Sequence, residues 1–143
     1  MDGKKIVISW IAGAILLFVT MVIFSFVSTW IAPYSIYAIG GMRPATDPVM
    51  MLYFAYPFVF SLTAVCAYSL IRTALPGGYI RKGLIFGGIL VLLVLVNNAF
   101  VIFSSMLYPA GFFIELILNG LVSYPLLGIV FSKIWEMQQL ENH

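Results

Sequence analysis

From Ile6 to Ile31 the chain carries no charged side chain, and three more long apolar stretches follow. No other feature restricts the fold as much. About 20 apolar residues suffice to cross the hydrocarbon of a bilayer at 1.5 Å per residue. Inside such a stretch every backbone N–H and C=O must be paired without help from water, which a helix achieves within its own segment. Composition agrees, because 63% of the 143 residues are hydrophobic and only 8% are charged, whereas a soluble domain carries roughly 25% charged residues to face water. The expectation is a single all-α domain, a polytopic membrane protein with four transmembrane helices in an antiparallel bundle. The spans are read as residues 6–31, 49–75, 83–108 and 110–135.

Lys4 and Lys5 precede the first run, as charged residues precede a signal peptide's core. That core is only about 7–15 residues long, however, so the first run is expected to persist as a helix. Between residues 33 and 48, Gly40, Gly41 and Pro44 break regular structure, while Tyr34, Ile36, Tyr37, Ile39 and Met42 suit the headgroup region. This loop is expected to lie over one end of the bundle. Pro57 should kink the second span and leave the Tyr53 carbonyl in need of another partner. Arg72 is expected to snorkel without a buried partner, and residues 137–143 to form a short solvated tail.

Six of the seven basic residues, Lys4, Lys5, Arg72, Arg81, Lys82 and Lys133, fall on one side of a four-span ordering, and Arg43 alone falls on the other. Cytoplasmic loops carry the Lys/Arg excess, so both termini are expected inside a cell membrane. Trp10, Trp30 and Trp135 lie near span ends, where indoles anchor at the interface. A net charge of +2 gives no reason to expect nucleic acid as a partner.

The single cysteine, Cys66, cannot form an intramolecular disulfide and reads as a packing residue. His143, the one histidine, stands at the last position, which removes axial ligation of an intramembrane haem. No cofactor, metal site or catalytic pair is expected. An enzyme would need a base and a nucleophile within reach, and no His, Lys or second carboxylate is expected to accompany Glu115 within the membrane, Lys133 standing at the end of its span.

The polar residues of the last two spans carry the chemistry that remains. With the third and fourth spans folded back at residues 108–111, Ser104 should lie level with Glu115, and Asn97 and Asn98 within about a turn of Asn119. At about 100° per residue, Glu115, Asn119 and Ser123 share one helical sector. Tyr53 and Tyr56, with Ser25 and Ser28, reach the same half of the membrane, and Arg43 and Asp47 would stand at the mouth. The expected site is therefore a pocket of Glu115, Asn119, Asn97, Asn98, Ser104, Tyr53, Tyr56 and Arg43. A plainer reading has the asparagines as interhelical hydrogen-bonding glue and Glu115 as a hydrated or Arg43-paired structural group.

Gly83 and Gly87 form a GxxxG spacing, whereas Gly128 lies about 180° from Asn119 around its helix. Gly128 and Ser132 are therefore expected to admit another helix, either the first span or a second subunit.

Leu75-Pro76-Gly77-Gly78 running into Lys82-Gly83-Leu84-Ile85-Phe86-Gly87, with Gly120-Leu121-Val122, Pro125-Leu126, Gly128 and Ile134-Trp135, resembles a group of small uncharacterised four-span prokaryotic membrane proteins. The resemblance covers mainly the second half and implies the four-span fold without an activity. That group tends to hold tryptophan and proline where this chain has Leu93, Asn97 and Asn98.

Two functions are compatible with these residues. One is binding or transport of a small molecule, ion or proton through an outward pocket, with Glu115 as the protonatable group. The other is a non-catalytic accessory subunit or assembly factor, its partner being the lipid bilayer together with a second copy or another membrane protein.

Overall fold

A computed structural model describes residues 2–140, so the sequence-based reading of His143 lies outside the described residues. Four helices are long and apolar enough to cross a membrane, and no strand occurs among the described residues. We label them α1 (Gly3–Ile31), α2 (Tyr56–Ile71), α3 (Tyr79–Ser105) and α4 (Ala110–Leu140). A 3₁₀ segment, Pro48–Ala55, leads directly into α2 and extends its apolar length. α4 continues as helix through Leu140, beyond the expected end of the fourth span at residue 135, and residues 141–143 of the expected tail lie outside the described residues.

α4 is the central element. It packs along α1 and α3, and α1 in turn packs on α2. Glycine sets the closest approaches. A Cβ on Gly83 would overlap the backbone of Ile129, and one on Gly87 would overlap the backbone of Pro125. A Cβ on Gly128 would strike the Gly83 carbonyl oxygen. At Gly13 a Cβ would come within 2.7 Å of both Leu127 and Phe131 and would also overlap Ser61, so α1, α2 and α4 converge there. Without water to drive helices together, such backbone proximity is the main source of contact energy in lipid. Gly128 is thus filled by α3 of the same chain, where the first span or a second subunit was expected.

Aromatic residues fill the space beyond the glycines. Tyr68, Phe86, Phe131 and Trp135 form one buried cluster with ring centroids 5.2–6.3 Å apart. Trp135 is only 4% exposed, so it is a core residue and not the interfacial anchor its position suggests. Trp30, 88% exposed, does fit that anchoring role. Trp10 reaches sideways, donating its indole N–H to the Phe58 carbonyl at 2.7 Å, while Ser61 Oγ donates to the Trp10 carbonyl at 2.8 Å. These two bonds clamp α1 to α2.

Two local departures from ideal helix matter for the site. Pro57 lies in the first turn of α2, where a missing N–H costs little. Pro57 therefore does not interrupt the interior of a helix, because the preceding residues have already taken 3₁₀ geometry from the Asp47 cap onward, and the Tyr53 carbonyl accepts from the Tyr56 N–H. In α3, Val91–Val96 winds as a π-helix. Asn97 Nδ2 donates to the carbonyls of Leu92 and Leu93 at 3.2 and 2.9 Å, satisfying acceptors within the widened turn.

Candidate functional site

The site is built where the end of α1 meets the start of α4. Gly111 sits beneath the Ala32 carbonyl and the Tyr34 ring, and a side chain there would overlap both. Glu115 follows four residues later, on the same face of α4. The close approach at Gly111 therefore delivers Glu115 to α1. Edge-on packing of Tyr34 against Phe112, with centroids 6.2 Å apart, holds the tyrosine in place.

Glu115 Oε2 accepts a hydrogen bond from the Tyr34 hydroxyl. Ser28 Oγ lies 3.3 Å from the same oxygen and 2.9 Å from the Ser25 carbonyl, and its single hydrogen serves one acceptor at a time. Thr29 Oγ1 donates to the Ser25 carbonyl at 2.8 Å. Both bonds to the carboxylate fall on Oε2, and among the described residues Oε1 has no hydrogen-bond donor. Burial first, and then the carboxylate beside it, push the Tyr34 phenol well above its ordinary pKa. The phenol therefore stays protonated and acts as a donor.

A cavity of about 310 Å³ opens beside this group, lined by Ser25, Thr29, Tyr34, Tyr37, Tyr53 and Glu115 together with Ser35 and Ile36. Hydroxyl groups dominate its polar lining, and Glu115 is its one carboxylate. Such a chamber has room for a small cation, an amine or a proton, with hydroxyl oxygens and Oε1 as the ligands it offers.

Of the eight residues expected in this pocket, the structure brings together Glu115 and Tyr53. Asn97, Asn98 and Ser104 lie exposed on α3. Asn97 is engaged with its own helix, and Ser104 Oγ bonds the Val101 carbonyl at 3.2 Å and lies 3.3 Å from Ser105 Oγ. The physical reason lies in the π-helical turn. A uniform 100° step places the asparagines toward α4, whereas the wider turn before Asn97 shifts the phase of every later residue. Asn119 is half-buried, and its Oδ1 has no partner among the described residues. Tyr56 is exposed at the start of α2 and does not line the cavity.

Arg43 does not pair with Glu115. Its Nη1 donates to Asp47 Oδ2 at 2.8 Å, while Asp47 Oδ1 accepts the Val49 N–H at 2.9 Å. Those bonds, the one from Arg43 foremost, hold the Asp47 carboxyl below its ordinary pKa. The pair closes the loop and starts the 3₁₀ segment. Tyr34, the principal partner of Glu115, was read from the sequence only as an interfacial aromatic. The one local signal that could have found it is Gly111, placed four residues before the acid.

Gly83, Gly87, Gly128 and Ser132 are all used within the chain. The three glycines form the α3–α4 contact, and Ser132 Oγ accepts from the Tyr68 hydroxyl of α2 at 2.9 Å.

No family model, curated protein or solved structure matches this chain.

Proposed function

We propose that this protein is a multi-pass protein of the cell membrane that binds or moves a small cation, amine or proton through a pocket centred on Glu115. The carrying observation is the asymmetry of the carboxylate. Tyr34 and Ser28 both address Oε2, whereas Oε1 stands without a donor beside a hydroxyl-lined cavity. An intramembrane carboxylate is costly and usually borders a partner or a water-filled space.

The proposed bundle is antiparallel with both termini inside. Support comes from the stepwise pairing of Gly83 with Gly128, Gly87 with Pro125 and Leu95 with Gly120. It comes also from the gathering of Lys5, Arg72 and Lys82 near Trp135, away from the Glu115 pocket, since a Lys/Arg excess favours the cytoplasmic side. The pocket then opens outward. The accessory-subunit reading has less support, because Gly128 and Ser132 already have partners within the chain.

Proteoliposomes loaded with a pH-sensitive dye test the proposal, alongside binding of tetraphenylphosphonium and methylammonium to the purified protein. Proton flux or cation binding that Glu115→Gln abolishes in a folded protein is the expected result. Absence of both activities in the wild-type protein, or equal activity in the variant, removes the proposal.

A further inference from the structure

A second cavity, of about 210 Å³, lies between the end of α2, the start of α3 and the last turns of α4. Its lining includes Arg72, Lys82, Ser132, Trp135 and Glu136. The helical lengths apolar enough to cross a membrane end at Ile71 and Met137 and resume at Tyr79, so the cavity lies at the ends of these lengths, where a spanning bundle would meet headgroups. At about 30 Å³ per water it has room for several, and hence for a phosphate group.

Three features of the lining call for an anion. The Arg72 guanidinium lies over the Trp135 ring at 4.5 Å from its centroid, a contact that uses the cation's face and leaves its N–H edge available. Among the described residues neither Arg72 nor Lys82 has an ion-pair partner. Trp135 is 4% exposed, and its indole N–H is buried with no acceptor among the described residues. A buried N–H without a partner is costly and uncommon, and a bound acceptor would relieve it. Ser132 accepts from Tyr68, which leaves its own hydroxyl hydrogen to donate.

We infer that this cavity binds the phosphate of a phospholipid headgroup, with Arg72 and Lys82 as its charged ligands. Two cations and the Glu136 carboxylate leave one positive charge on the lining, which matches the single negative charge of a phosphodiester better than the higher charge of free phosphate. Charge-assisted bonds from a planar guanidinium suit phosphate oxygens, and basic groups at span ends meet headgroups without leaving the membrane.

The test uses the full chain in dodecyl maltoside, which carries no phosphate, titrated calorimetrically with three probes. These are a short-chain phosphatidylglycerol, the matching phosphate-free diacylglycerol, and inorganic phosphate. Saturable binding of the phospholipid but not the diacylglycerol is expected, with affinity falling about tenfold or more in Arg72→Gln and Lys82→Gln, as for loss of a hydrogen bond to a charged group. Arg81→Gln removes an exposed charge that does not line the cavity and should leave the affinity unchanged. If Arg72→Gln does not fold, Lys82→Gln decides, since its side chain makes no contact with the Trp135 ring comparable to that of Arg72. Equal or tighter binding of inorganic phosphate would assign the site to free phosphate and overturn the lipid. Binding of the diacylglycerol with equal affinity, no binding of any probe, or an equal loss in Arg81→Gln would overturn the site itself.

Discussion

The Tyr34 hydroxyl donates to Glu115 Oε2, joining the loop that follows α1 to the second turn of α4. This bond makes the acid of the fourth apolar helix part of a defined chamber, and it rests on the absence of a side chain at Gly111.

Tyr34→Phe removes that donor and leaves Ser28 at 3.3 Å as the remaining hydrogen-bonding partner of Oε2. The variant should lose about 0.5–1.5 kcal/mol of stability, the range for the net contribution of a hydrogen bond. Unfolding of the purified protein by titrated SDS measures it. The raised phenol pKa sets the pH window. Its contribution is complete below the ordinary tyrosine value of about 10 and declines as pH rises through the folded value. Loss of wild-type stability should therefore steepen above about pH 10, and Tyr34→Phe should remove that component.

Gly128→Ala places a methyl group against the Gly83 carbonyl oxygen. Backbone cannot yield as a flexible side chain can, so a loss of about 1–3 kcal/mol or more is expected. Light scattering combined with size-exclusion chromatography should show an unchanged oligomeric state alongside the lowered stability. A change of oligomeric state at undiminished stability would instead place Gly128 at an interface between chains.

Asn97→Leu strips the side-chain donor from the carbonyls of Leu92 and Leu93. Hydrogen bonds in membrane helices are worth about 0.6–2 kcal/mol, so a modest loss is expected, with faster amide exchange confined to the π-helical turn. The cation binding proposed for Glu115 should not change, because Asn97 does not line that cavity.

The Arg43–Asp47 pair predicts a local response to acid. Because the Asp47 pKa is lowered in the folded protein, its contribution is present above the unfolded value of about 3.9 and is lost as pH falls through the lower folded value. A carboxyl-carbon NMR titration should find the Asp47 midpoint below that of an unstructured peptide. Arg43→Gln should return it most of the way, the Val49 N–H bond accounting for the remainder.

The four long apolar helices follow from sequence alone, because an apolar run too long for a globular core and unable to leave its backbone unpaired has few alternatives to helix. Glu115 likewise stands out without a structure, as an ionisable residue in an apolar run. Which residues meet Glu115 depends on quantities that no uniform periodicity contains. The π-helical turn from Val91 to Val96 changes the phase of α3 and carries Asn97, Asn98 and Ser104 onto an exposed face. The Pro48–Ala55 segment takes 3₁₀ geometry, so that Pro57 begins a helix where a kink in one was expected. Gly128 marks a close approach in the sequence, but which helix makes it is a matter of three-dimensional packing, and α3 fills the place. Tyr34 reaches Glu115 because Gly111 lets two backbones approach, a contact between residues distant in sequence that local pattern does not encode. Sequence determined which segments are helices long and apolar enough to cross a membrane, through hydrophobicity and backbone pairing; tertiary structure decided which polar groups meet between them, because small irregularities in helix winding and the positions of missing Cβ atoms set the facing surfaces.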